Sequence, residues 1–366
     1  MTAAAVLRRP RPRPRLGVAL TVGIVGLVLS GLGFLLDPRQ AYASWLAAFA
    51  AGVSVALGAL ILVAVTHLTG ARWFDPLRRI ALDVAATLPL FALLFIVLLP
   101  GLRRLYPWVG ARGLPNTAYL NVPFFVLRAV GYFALWIAVG LVLRRWAVRR
   151  VRDASQPPSP RERALAAVSL PALGLTLTFA AVDWLMSLAP AWISTAFGVY
   201  WFAGGFVAAL ALVALLAAVR HDKSSHAPTL GQDQAYALGA LLVTFVIFWA
   251  YIAYAQYFII WIADVPGEVG WFVPRVRGSW GVLALVLILG HFLLPLLVLL
   301  FHAAKVNPRV LGAVAGWLLV MHYLDTYWLV LPAVHPGALH PHWLDLSALA
   351  AVVGTAGAWV GWLRGR

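Results

Sequence analysis

Two acids stand inside apolar sequence at matching places. Asp183 lies seven residues before Pro190 in DWLMSLAP, and Asp325 lies seven residues before Pro332 in DTYWLVLP. A carboxylate in such a run is costly to bury, and its default reading is a functional group with a partner. His322 precedes Asp325 by one turn and shares its helix face. Arg128 is the basic residue that falls inside an apolar run. Tyr251, Tyr254, Gln256 and Tyr257 gather in one half of a run, and His291 sits at mid-depth in another. Toward the opposite side are His67, at a helix end, and Asp83, with Thr87 one turn along.

Acids and imidazoles can relay protons, and Tyr, Thr and water can connect them. The functional expectation is two partial proton paths, one opening to each face. Asp183, Asp325, His322, Arg128 and Tyr254 belong to the outer path; His67 and Asp83 belong to the inner one. The competing reading is structural: Arg128 neutralises one acid, and the other groups hydrogen-bond between helices. For His67, near an interface, capping or snorkelling is the leading reading.

Resident redox centres are not expected. The chain has no Cys, which excludes thiolate-bound iron–sulfur and zinc centres. A dihaem bundle needs axial His pairs on two facing helices, and His291 with His302 makes the single same-face pair. His335, His340 and His342 crowd a Pro-rich turn without an evident carboxylate, so no metal is assigned there. Trp261, Trp271, Trp280 and Trp343 fall near span ends, where interfacial belts place such rings. No phosphate-binding loop, nucleophile elbow or paired metal motif occurs, and no catalytic residue is assigned.

The elements that must position these groups are membrane helices. The chain is 63% hydrophobic and 11% charged over 366 residues, outside the range of soluble domains. Ten apolar runs, near 16–36, 41–67, 80–99, 119–143, 164–188, 194–219, 234–262, 279–301, 309–332 and 343–362, are each long enough to span a bilayer. The fold class is therefore all-α and polytopic. The net charge of +16 is a topological signal and not a nucleic-acid footprint. The N-terminal arm, even-numbered loops and C-terminus hold 21 Lys and Arg against 6 in the odd-numbered loops. Both termini are accordingly expected in the cytoplasm.

Residues 1–15 form a basic Arg/Pro arm, 16–143 the first half of the membrane domain, 144–163 a basic then Pro/Ser-rich linker, and 164–366 the second half. The span 164–188 completes the first four-helix unit. Trp45 with FAAG at 49–52, and Trp192 with FAGG at 202–205, point to a duplication of spans 2–5 in spans 6–9. An even number of spans per unit makes the repeat parallel. Single helices flank the two units.

Four segments in register carry a resemblance: VDWLMSLAPAWISTAFGVYWFAGGFVAAL, TFVIFWAYIAYAQYFIIW, GHFLLPLLVLL and VMHYLDTYWLVLP. From about Trp45 to Pro332 the chain resembles the F subunit of bacterial alternative complex III, in the NrfD-like superfamily of polysulfide-reductase membrane anchors. The resemblance implies a subunit of a quinol-oxidising complex in the bacterial inner membrane. Quinol or menaquinol would be the substrate of the whole complex. Its partners would be a homologous quinone-site membrane subunit, a multihaem c-type cytochrome and an iron–sulfur protein, which carry the haem c and the clusters. This subunit would hold no cofactor of its own and would be a proton-path candidate, with Asp183 and Asp325 as outer acids beside His322 and Tyr254. The family more often has Glu and His around the first Pro, where this chain has Ala189 and Ala191. The alternatives are a purely structural anchor of the same complex and a proton-coupled secondary transporter.

Overall fold

The structure is a computed structural model that describes residues 16–111, 116–150, 159–221 and 230–365. The basic arm and the middle of the linker lie outside these residues. Ten helices are long and apolar enough to cross a membrane, and no strand occurs among the described residues. The first span is α1 (Leu16–Leu36) and the second α2 (Pro38–Thr69). The third is split into α3 (Asp75–Ala85) and α4 (Leu88–Ile96), followed by the short α5 (Leu102–Leu105). Then come α6 (Val122–Arg150), α7 (Pro160–Trp184), α8 (Phe197–His221) and α9 (Gln232–Ala263). The re-entrant-length α10 (Pro266–Val276) precedes α11 (Gly278–Leu287), a π segment (Ile288–Leu293), α12 (Leu294–Leu300) and the short α13 (His302–Val306). The chain closes with α14 (Pro308–Val330) and α15 (Trp343–Gly365).

Local chemistry sets several of these ends. Helix α7 starts on a capping box: Glu162 N–H donates to Ser159 Oγ at 3.3 Å, and Ser159 N–H to Glu162 Oε2 at 2.9 Å. It therefore begins one turn before the apolar run that announces it. Pro89 lacks an amide hydrogen and crowds the carbonyl four residues earlier, so the third span breaks between α3 and α4. Both α7 and α14 end on a tight 3-10 turn, Met186–Leu188 and Leu331–Ala333, which matches the equivalent Asp-to-Pro spacing. After the first turn, helix resumes at Phe197 rather than at Ser194 as the apolar run suggests.

The helices form two four-helix bundles with flanking helices. In the first, α2 packs on α3, α4, α6 and α7; in the second, α8 packs on α9 and α14, with α11 and α12 closing the group. The bundles meet through α2, α7, α8 and α14. Close approach of α2 to α8 requires glycine, since a Cβ on Gly58 would lie 2.7 Å from the Gly205 carbonyl oxygen. Helices α1 and α15 pack on each other and then on α2. A Cβ on Gly26 would meet the Ala351 nitrogen at 2.2 Å, so this pair too is built on small residues. The starts of α1 and ends of α15 lie on one face of the molecule, called here the terminal face; Leu16 lies close to Gly361. Trp45 is inside α2, whereas Trp192 lies in the turn before α8 and stacks on Trp271 at 4.3 Å. The two tryptophans are thus not structural counterparts.

Candidate functional site

Asp183 and Asp325 occupy like places near the ends of α7 and α14 but face different chemistry. Asp183 is fully buried in the last turn of α7. Arg128 of α6 holds it with two bonds, Nε to Oδ2 and Nη2 to Oδ1, both 2.8 Å. Tyr132, one turn along α6, donates to Oδ2 at 2.9 Å. The guanidinium also donates to the Tyr119 carbonyl at 2.9 Å and lies 3.8 Å from the Tyr119 ring centroid. This is a planar, bidentate ion pair with its remaining capacity used.

Asp325 has no cationic partner among the described residues. Its Oδ1 accepts from the Tyr200 hydroxyl of α8, and its Oδ2 accepts from Trp249 Nε1 of α9 at 3.2 Å. It is 2% exposed, so these neutral donors replace water. Beside it, Gly204 of α8 leaves room for two polar atoms at once. A Cβ there would stand 3.3 Å from Asp325 Oδ2 and 3.3 Å from His322 Nδ1. The same-face placement of His322 and Asp325 is therefore realised in α14.

His322 links this group to the first bundle. Its Nε2 is 2.9 Å from Ser54 Oγ and 3.3 Å from the Ala51 carbonyl of α2. Ser54 donates to the same Ala51 carbonyl at 2.9 Å, so Nε2 carries the imidazole hydrogen and Nδ1 is the acceptor. That Nδ1 is buried without a partner among the described residues. On the other side of Trp249, its ring lies 4.1 Å from the His291 ring. His291 is carried by the π segment, and both its nitrogens are buried without a partner among the described residues. π segments within α-helices concentrate at functional sites. The widened turn also frees the Gly290 carbonyl, which accepts from Trp317 Nε1 at 2.7 Å.

Tyr254 does not join the cluster. It is 62% exposed, five residues after Trp249 and so about 140° around α9 from it. Tyr251 is similarly exposed, while Gln256 is buried and accepts from Ser194 at 3.3 Å. At the terminal face Asp83 is bound by Arg144 at 3.3 Å and by Arg364 at 2.7 Å, which ties α3 to α6 and α15. His67 is buried in the last turn of α2, and its Nδ1 is 2.7 Å from the Val63 carbonyl one turn earlier on the same helix. These two residues stand apart from the Asp325 group.

Tyr200, Trp249, Ser54, Tyr132 and Gly204 are partners that sequence reading alone passes over. Tyr200, Gly204 and Trp249 lie inside the conspicuous segments, yet nothing in a one-dimensional pattern pairs α8 or α9 with α14. A further buried acid, Asp345, accepts from Ser44 at 2.5 Å, Gln40 at 3.0 Å, Tyr327 at 3.1 Å and the His342 amide at 2.8 Å. Its position three residues after His342, at the start of α15, is the legible signal of an N-terminal cap. It clamps α15 to α2 and α14 close to His335, whose Nε2 is 2.6 Å from Gln40 Oε1. No group of three or more His, Asp or Glu residues among the described ones could hold a metal ion. No protein-family model matches the chain, and no curated protein matches it significantly.

Proposed function

We propose that this chain is an integral membrane subunit of a quinol-oxidising respiratory complex of the alternative complex III type, and that its role there is to pass protons through the Asp325 group. The observation that carries the proton role is the contrast between the two acids. Protonating Asp183 would strand the Arg128 guanidinium in a buried site, whereas protonating Asp325 breaks no ion pair. Asp325 can therefore exchange a proton while the helices stay in place. Tyr200 offers one route to it and, across Gly204, His322 with Ser54 offers another, with water as the connecting element. The chain from Asp325 through His322 to Ser54 runs from the second bundle into the first.

The Asp183–Arg128 pair and the Asp83 bridges fit the anchoring part of the same role. They tie helices together through satisfied charges, as a scaffold for larger redox partners requires. Membership of the complex rests on the four sequence segments, which between them supply Tyr200, Trp249, His291, His322 and Asp325. The direct test is to purify the tagged chain from gently solubilised membranes and identify what accompanies it. The expected result is a complex containing a second, homologous membrane subunit, an iron–sulfur protein and a c-type haem spectrum. Recovery of the chain by itself under conditions that keep other respiratory complexes intact would contradict the assignment.

A further inference from the structure

Two guanidiniums bind one carboxylate at the terminal face, and two more arginines lie in the same neighbourhood. Arg144 of α6 and Arg364 of α15 bind Asp83 directly. Arg220 of α8 lies within electrostatic range of Asp83, Arg364 and Arg79, the last being one turn before Asp83 on α3. Neither Arg79 nor Arg220 has an ion-pair partner among the described residues. The Nη2 of Arg364 is buried, again without a hydrogen-bond partner among those residues. Four helices thus bring positive charge together at a partly exposed corner, around the buried Asp83. Such an arrangement repels itself unless an anion joins it.

An apolar groove runs beside this cluster. It has a volume of about 290 Å³ and is lined by Leu20, Ile24 and Leu27 of α1 and by Thr355, Trp359 and Trp362 of α15. Trp359 joins the two features: its ring lines the groove, and its Nε1 donates at 2.8 Å to the Ala86 carbonyl, three residues after Asp83. The indoles of Trp359 and Trp362, 5.6 Å apart, lie in the last two turns of α15, and rings of this kind are enriched at the ends of membrane spans.

We propose that this corner binds one anionic phospholipid. Its phosphate sits among Arg79, Arg144, Arg220 and Arg364, and one acyl chain lies along the α1–α15 groove. Guanidinium pairs with phosphate in bidentate geometry, and basic pockets between membrane helices at this level select anionic headgroups. A zwitterionic lipid brings its own cation and gains less from the arginines. An acidic peptide would neutralise the charge but leave the adjoining groove unused. Bound there, the lipid fastens α1 and α15 to both bundles.

The test uses the full chain, delipidated in non-ionic detergent, with dioleoyl phosphatidylglycerol and dioleoyl phosphatidylcholine as probes and native mass spectrometry as the readout. One phosphatidylglycerol should be retained with about tenfold preference over phosphatidylcholine. The double variant R79Q/R220Q should lose most of that preference with an unchanged melting temperature, because neither side chain is paired within the fold. Ile24→Trp, an exposed position that fills the groove, should weaken phosphatidylglycerol retention without altering any charge. Glycerol phosphate at millimolar concentration should not displace the lipid. Equal retention of the two lipids, an undiminished preference in R79Q/R220Q, unchanged retention in Ile24→Trp, or displacement by glycerol phosphate would each overturn the proposal.

Discussion

Replacing Arg128 by Gln would leave the Asp183 carboxylate buried with one neutral donor, Tyr132, in place of a bidentate cation. By soluble-protein experience an uncompensated buried charge costs roughly 3–5 kcal/mol. Arg128→Gln should therefore lower the yield and melting temperature of the protein sharply. The double variant Arg128→Met/Asp183→Leu should recover much of that loss; a double variant as unstable as the single one would refute the ion-pair account. Asp325 should behave differently. Asn at this position keeps its shape and an acceptor for Tyr200 or Trp249, so the loss is of the order of one hydrogen bond, about 0.5–1.5 kcal/mol. Gly204→Ala probes the same place from outside the acid. Its methyl would stand 3.3 Å from both Asp325 Oδ2 and His322 Nδ1, tighter than ordinary contact, and should impair proton transfer while the fold is retained. Unaltered proton transfer in a folded Gly204→Ala protein would show that the two residues do not communicate across this glycine. The sequence made both acids, His322 and Arg128 visible, because charge inside apolar runs is rare. It could not separate their roles, since Asp183 and Asp325 share one spacing and their difference lies wholly in partners on other helices. Tyr254 was drawn in by its motif, yet its side chain turns away from the cluster on α9.

At the scale of elements, the apolar runs located every span, and their ends shifted where polar residues extend a helix. The capping box at Ser159 and Glu162 is one such case, and the Asp37 cap of α2, which accepts from the Gln40 amide at 3.2 Å, is another. The break at Pro89 was legible in principle from the missing amide hydrogen. The π segment around His291 was not anticipated, although Pro295, which cannot donate to the His291 carbonyl four residues earlier, stands just after it. The turn between α14 and α15 carries a pH dependence. Burial, followed by the neighbouring His340 and Arg39, holds the His335 imidazole below its ordinary 6.5, while Asp345 and Asp37 act in the opposite sense. The unfolded chain then takes up a proton that the folded one resists, so stability is fullest above about pH 6.5 and falls as the pH drops through the folded value. His335→Gln should flatten the melting temperature between about pH 7.5 and 5.5 relative to the parent. An identical acid-side decline in the variant would remove His335 as the cause.

The whole molecule joins two bundles through α2, α7, α8 and α14, and the Asp325 group lies against that junction through Ser54 and His322. Its two-bundle organisation was legible from the repeated Asp-to-Pro spacing and the glycine quartets. The pairing of α1 with α15 was not, because these helices are distant in sequence and their small-residue contacts resemble ordinary Ala/Gly bias. The orientation expected from the asymmetry of basic residues can be checked directly, as the chain has no native Cys. A single Cys placed in the 189–193 turn should react with an impermeant maleimide in intact cells, and one in the 144–163 linker should not; the reverse pattern would invert the topology. The central claim is that Asp325 carries protons whereas Asp183 holds helices. It is tested most directly by counting protons released per electron delivered to acceptor, in proteoliposomes holding the intact complex with Asp325→Asn. The account predicts normal subunit content, near-normal quinol oxidation and a clear fall in protons per electron. An unchanged ratio in a fully assembled Asp325→Asn complex would contradict it.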